Sequence, residues 1–248
     1  MADSSTYKNL TWAGILITVI GSIFFSTKAV IVKYAFNKTE VDAVSLLTVR
    51  MIFSLPFYIA AAWLVGSRKD NVKITRKQWL SIIGLGLFGY YLSSLFDFMG
   101  LKYISAGLER LILFLYPTFS VLINAFLFKE KISKLQRIAL ILTYAGILFA
   151  YIGELTIDTH NPDFFLGSFL IFICAITFAT YIVGSGRMIP VVGTTKFTAY
   201  VMLASTSGVF LHFIIAGNYE IVGRPSEFVW YGLLLGLIAT VIPSFMIS

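Results

Sequence analysis

The sequence predicts an all-α, polytopic membrane bundle: eight transmembrane helices taken from a ten-helix arrangement of two inverted five-helix units. Three observations predict it. Hydrophobic residues make up 58% of the 248-residue chain and charged residues only 12%, against about 45–50% and about 25% in soluble domains. Eight apolar segments are each long enough to span a bilayer. Basic residues gather on alternate sides of those segments. The composition excludes coiled coil, collagen and low-complexity disorder.

A helix needs about 20 residues to cross the hydrocarbon core. The first apolar run, Trp12–Phe36, follows a short polar start. Its far end, from Lys28 to Asn37, offers no small-residue cleavage site, so it reads as a retained helix and not a signal peptide. Val44–Val65 contains Pro56, a kink position. Trp79–Met99 carries Tyr90 and Tyr91 at its middle, and Ser105–Phe128 carries Tyr116 beside Pro117. Leu135–Gly153, Phe165–Gly184, Lys196–Gly217 and Phe228–Ser248 complete the set, the last with a second kink position at Pro243. No short alternating strands of a β-barrel are visible.

With the N-terminus in the cytoplasm, the inner side holds 12 basic residues, from Lys8 to Lys196, and the outer loops hold only Lys38, Lys102 and Arg224. Cytoplasmic loops carry an excess of Lys and Arg, so this asymmetry orients the chain N-in. It also accounts for the net charge of +7 without a nucleic-acid partner. The expected location is the cell membrane, as a multi-pass protein in contact with lipid.

The chain echoes itself. Gly14-Ile-Leu-Ile opens the first helix and Gly167-Ser-Phe-Leu the sixth, an offset of 153 residues. Leu85-Gly86-Leu87 in the third helix returns as Leu235-Gly236-Leu237 in the eighth, an offset of 150. These offsets predict a first five-helix unit over residues 1–153 and an incomplete second unit of three helices over 154–248. Because five is odd, the second unit is inverted, an arrangement shared by many secondary transporters. The partners of helices four and five fall past Ser248, so the expectation is a piece of a ten-helix protein.

Several stretches carry a family resemblance. They are Gly21-Ser-Ile-Phe-Phe-Ser-Thr-Lys-Ala-Val in helix one, Thr48-Val-Arg-Met in helix two and Leu101-Lys-Tyr-Ile-Ser-Ala-Gly-Leu at the entry to helix four. Leu115-Tyr-Pro-Thr-Phe, Lys129-Glu-Lys-Ile and the run from Gly167 to Tyr181 extend the likeness over essentially the whole chain. On these residues the sequence resembles the EamA branch of the drug/metabolite transporter superfamily. The resemblance implies a ten-helix, five-plus-five inverted fold that moves small organic solutes. This chain departs from it by ending two helices early.

Ionisable groups inside a bilayer are costly, roughly 2.5–3.5 kcal/mol each on insertion scales. Lys28, Arg50, Asp97, Glu109 and Arg110 stand inside the predicted spans. At 1.5 Å per residue they all fall in the outer half of the membrane, within about 3–12 Å of the helix ends. One reading is a charged vestibule on a central cavity, suited to an anionic or zwitterionic metabolite. The other is internal ion pairing, such as Arg50 with Asp97, or snorkelling of Asp97, Glu109 and Arg110 to the headgroups. Glu109 and Arg110 are consecutive and point about 100° apart, so at most one faces a cavity. Tyr116 is a further pathway candidate, because Pro117 frees a backbone carbonyl beside it. Asn124 either bonds between helices or faces solute.

Other patterns carry no chemistry. Gly84-Leu-Gly-Leu-Phe-Gly89 fits a dinucleotide motif, but inside an apolar helix it reads as small residues for close packing, as do Gly232 and Gly236. Asn37-Lys-Thr39 matches a glycosylation sequon. His160 and His212 stand alone, and Cys174 is the single cysteine, so no metal site, cofactor site or catalytic triad is expected. The expected function is secondary transport of a small organic metabolite by alternating access, with substrate pathway residues Lys28, Arg50, Asp97, Glu109, Arg110 and Tyr116. Proton or exchange coupling and a homodimer stay open. The alternatives are a non-transporting scaffold or accessory subunit and, less favoured, an intramembrane enzyme.

Overall fold

A computed structural model describes residues 12–67, 72–151, 162–217 and 226–247. Among them every regular element is helical. Eight helices follow in order: α1 Trp12–Lys38, α2 Ala43–Gly66, α3 Arg76–Tyr103, α4 Ala106–Leu127, α5 Lys134–Tyr151, α6 Phe164–Val192, α7 Thr194–Ala216 and α8 Glu227–Met246. Seven of them are long and apolar enough to cross a membrane. The described part of α5 has 18 residues and opens on Lys134 and Arg137, which leaves it less apolar than the rest. His160 and the predicted end of α5 at Ile152 and Gly153 lie outside the described residues.

Local chemistry sets the helix ends. Asp42 caps α2 by accepting from the Ser45 amide at 2.9 Å. Thr75 and Gln78 form a reciprocal capping box at the start of α3, and Ser133 with Gln136 does the same for α5. Such caps satisfy amides that have no partner within the helix. The sequence places the end of α6 at Gly184; the helix instead runs on to Val192. Gly184 packs against the Leu85 side chain, and the stop comes at Gly193, whose φ of +88° suits only glycine. Helix α4 is broken at Phe114–Leu115 and restarts at Tyr116 with Pro117 in its first turn, because proline cannot donate to the preceding turn.

Two helices contain a π-helical turn, and the two turns occupy matching positions. Leu85–Tyr91 lies within α3, where the Leu92 amide donates to the Leu87 carbonyl. Leu237–Val241 lies within α8, where the Ile242 amide donates to the Leu237 carbonyl. Both bonded residues in α8 stand 150 positions after their counterparts in α3, the same offset as the Leu-Gly-Leu echo.

The helix crossings match as well. A Cβ on Gly86 would sit 2.6 Å from the Val201 carbonyl oxygen of α7, and one on Gly236 would sit 2.9 Å from the Arg50 carbonyl oxygen of α2. Small residues let the backbones approach, which is how helices bind one another where lipid removes the hydrophobic drive. Gly100 of α3 and Gly167 of α6 meet in the same manner. Phe25 of α1 stacks on Phe178 of α6 with ring centroids 6.3 Å apart, again at the offset of 153. The larger apolar cluster runs through α1, α2, α3, α7 and α8 and takes in Val192 at the end of α6, and a second, around Leu113, Ile171 and Ala175, joins α4 to α6. Large apolar side chains such as Phe126, Leu135, Phe149 and Ile215 face outward, as lipid-facing side chains do.

Candidate functional site: a charged cluster behind an aromatic cavity

The five intramembrane charges converge as their common depth predicts, but their partners differ from the expected ones. Lys28 Nζ lies 2.9 Å from Asp97 Oδ2, with side-chain exposures of 8% and 0%. The expected Arg50–Asp97 pair is therefore replaced by Lys28–Asp97. The turn of α1 that carries Lys28 faces α3, while Arg50 on α2 is drawn toward the π-turns. Glu109 Oε2 pairs with Arg110 Nε at 3.3 Å, and beyond these ion pairs the carboxyl oxygens of Asp97 and Glu109 are buried without a hydrogen-bond partner among the described residues. Asp97 and Glu109 are fully buried, so neither snorkels to the headgroups.

Arg50 is 1% exposed and has only uncharged partners. Its Nε donates to Thr240 Oγ1 at 2.7 Å, and its Nη2 donates to the Tyr90 hydroxyl at 3.0 Å. The guanidinium lies over the Tyr90 and Phe98 rings, 5.8 and 5.4 Å from their centroids. Its Nη1 has no hydrogen-bond partner among the described residues. Tyr90 and Thr240 come from the two matching π-turns, so Arg50 spans both. π-Turns recur at functional sites because they shift a side chain out of helical register. Thr240 in turn donates to the Leu235 carbonyl at 2.7 Å.

Beside this cluster lies a cavity of about 490 Å³ between α1, α3, α4, α6 and α8. Phe25, Tyr90, Tyr116, Phe178 and Tyr181 form an aromatic wall, and Ser26, Ser185, Thr240 and Ser244 add hydroxyls. Of the predicted pathway residues, Arg110 and Tyr116 line this cavity. Lys28 and Arg50 line a separate space of about 20 Å³ behind it, with Phe25, Tyr90, Leu113 and Phe178 common to both. Asp97 and Glu109 line neither. Of the consecutive pair Glu109 and Arg110, only the arginine reaches the cavity, as their 100° separation requires. Arg110 also donates to the Ser26 carbonyl at 3.2 Å, which ties α4 to α1.

Phe25, Phe178, Tyr181 and Thr240 were not singled out from the sequence. The internal echo held a usable signal: Phe178 corresponds to Phe25, and Thr240 to Tyr90. Asn124 bonds between helices, accepting from Arg187 Nη2 at 3.2 Å. Pro243 stands in the cavity wall as well as at a kink position. His212 Nδ1 is hydrogen-bonded to the Tyr91 hydroxyl at 2.7 Å.

The start of α4 positions Glu109 and Arg110. Ser105 Oγ accepts from the Leu108 amide at 3.1 Å. Replacing an N-cap serine with alanine costs about 1 kcal/mol. Ser105→Ala is expected to lower the melting temperature by about 2–4 °C in thermal unfolding; an unchanged value counts against the cap.

A family model described as the EamA-like transporter family matches residues 12–152. The chain is 29% identical over 238 residues to the uncharacterized transporter YcbK of Bacillus subtilis (strain 168), covering 93% of this chain and 74% of that protein. A crystal structure of another protein superposes with a TM-score of 0.65 at 20% identity, covering 95% of this chain and 78% of the other. That likeness concerns the fold alone.

Proposed function

The chain belongs to the EamA-like transporter family, and on that premise we propose that it carries a small organic solute across the cell membrane by alternating access, through the cavity between α1, α3, α4, α6 and α8. The observation that carries this reading is the cavity itself. It lies between helices of the two echoing segments, beside buried charge and two matching π-turns. In inverted-repeat transporters the site lies at the repeat interface, near broken or unwound helices. On this reading α1–α5 form the first unit and α6–α8 the corresponding part of the second, with the N-terminus in the cytoplasm. Rocking of one unit against the other would bend α3 and α8 at their π-turns.

Arg110 and Tyr116 would meet the solute directly. Arg50 and Lys28 would act from the space behind the aromatic wall. The buried carboxyls of Asp97 and Glu109 are the groups that would take up a coupling proton, since burial disfavours the charged form of a carboxyl. Flux indifferent to an imposed pH gradient counts against that coupling.

Ser26 lines the cavity and is not packed into the core, so its replacement fills the cavity without repacking a core. Cells expressing the chain should show an altered distribution of at least one small organic solute between cytoplasm and medium, read by mass spectrometry. Ser26→Trp should return that distribution to the empty-vector level at equal expression, and Ser26→Ala should not. A Ser26→Trp protein that still shifts the distribution overturns the pathway.

A further inference from the structure

We propose that the cavity selects an organic monoanion with an apolar or aromatic body, and that Arg50, acting through the Tyr90 hydroxyl, selects the charge. The inference rests on the transport reading above and names its substrate class.

Charge balance comes first. With both carboxyls ionised, Lys28 with Asp97 and Arg110 with Glu109 are two neutral pairs. Arg50 has no acidic partner among the described residues, and its Nη1 is buried with no acceptor. The cluster therefore keeps at least one uncompensated positive charge beside the cavity, and a proton on either carboxyl adds to it. A buried charge needs a partner, and a solute carboxylate in the cavity supplies one.

A path for that interaction is in place. The Tyr90 hydroxyl oxygen accepts from Arg50, which leaves its own proton to donate, and Tyr90 lines the cavity. A hydroxyl already accepting from a cation is a stronger donor. Thr240 is not equivalent, because its proton goes to the Leu235 carbonyl. The body of the solute follows from the aromatic wall. A solute ammonium finds no carboxylate among the described residues that line the cavity, since Asp97 and Glu109 line neither space.

The arginine is not needed to build the crossing. At the matching crossing the Val201 carbonyl meets Gly86 as the Arg50 carbonyl meets Gly236. The same close approach and the same π-turn form there with valine. The guanidinium is therefore an addition to the architecture, present on one side only, and it makes the site electrically asymmetric.

The test uses the full chain purified in detergent and isothermal titration calorimetry with four probes that share a phenyl group. They are 3-phenylpropionate, 3-phenylpropanol, phenylalanine and 2-phenylethylamine. The acid is expected to bind about tenfold to a hundredfold more tightly than the alcohol, as a hydrogen bond to a charged group allows. Arg50→Gln and Tyr90→Phe should each bring that ratio close to one, while Arg50→Lys keeps part of it. Tyr90→Phe preserves the ring and decides the matter if Arg50→Gln does not fold. The proposal is overturned if the amine or the amino acid binds as tightly as the acid. It is equally overturned if the ratio survives Tyr90→Phe, or if none of the four binds the folded protein. Acid-selective binding together with undiminished transport by Ser26→Trp would sink the transport reading and leave this inference standing. Loss of transport in Ser26→Trp without acid selectivity would do the reverse.

Discussion

Replacing Asp97 with asparagine is expected to be among the most damaging single changes in this protein. The substitution is nearly isosteric, so it leaves the shape of the core intact and strands Lys28 as a buried ammonium facing a neutral amide. The pair is 2.9 Å apart and almost wholly buried. Breaking a buried ion pair from one side costs about 3–5 kcal/mol, because the remaining charge stays desolvated and unpaired. In a chain of this size that corresponds to a fall of roughly 10 °C in melting temperature. Lys28→Met should be harmful for the complementary reason: it leaves the Asp97 carboxylate beside Glu109. The double variant Lys28→Met with Asp97→Asn removes both charges and should recover most of the lost stability. Thermal unfolding in detergent of the wild type, both single variants and the double variant measures the coupling. Simple additivity of the two single effects would show that the pair does not act as a unit.

The second large effect is expected at the helix crossings. A side chain on Gly86 meets backbone and not a movable side-chain tip: the Val201 carbonyl oxygen at 2.6 Å and Ala204 Cβ at 2.7 Å. Gly86→Leu must push α3 away from α7, and overpacking of this kind costs about 1–3 kcal/mol or more. Gly236→Leu should act alike by separating α8 from α2, where the Arg50 carbonyl oxygen and Phe53 Cβ both stand 2.9 Å from the added atom. Gly186 in α6 supplies the contrast, since nothing lies within 4 Å of its added Cβ. Gly186→Ala should leave the melting temperature unchanged or raise it, because glycine in a helix is about 1 kcal/mol worse than alanine. Comparable losses at all three positions would mean that helix propensity, and not close approach, explains the glycines.

These two predictions share a physical basis. Lipid withholds the hydrophobic drive that joins helices in water, so close packing and buried polar contacts carry more of the specificity. The bundle therefore tolerates exposed apolar side chains over much of its surface. It is intolerant at the few points where backbones touch or charges are buried.

The charge cluster shows where sequence reasoning reaches and where it stops. The depth of Lys28, Arg50, Asp97, Glu109 and Arg110 was legible because position along a helix follows from the rise per residue. The neutral pairing of Lys28 with Asp97 was not, since it depends on how α1 and α3 are rotated about their own axes. Arg50 illustrates the same point: its bond to Thr240 joins positions 190 apart, and a π-turn in each of two helices sets the geometry. Apolar sequence carries no mark of such a turn. The end of α6 was misplaced for a related reason, since Gly184 reads as a terminus until its contact with Leu85 is seen.

The sequence by itself determined the helical class, the order of the spans, the level of the buried charges and the spacing of the internal echo. All of these are one-dimensional properties, set by hydropathy and by distance along the chain. Tertiary structure decided which charges neutralise one another, which glycines touch backbone, and that Arg110 and Tyr116 face the cavity while Asp97 and Glu109 do not. Those outcomes depend on the rotation and crossing of helices far apart in sequence, where a shift of one residue turns a side chain by about 100°.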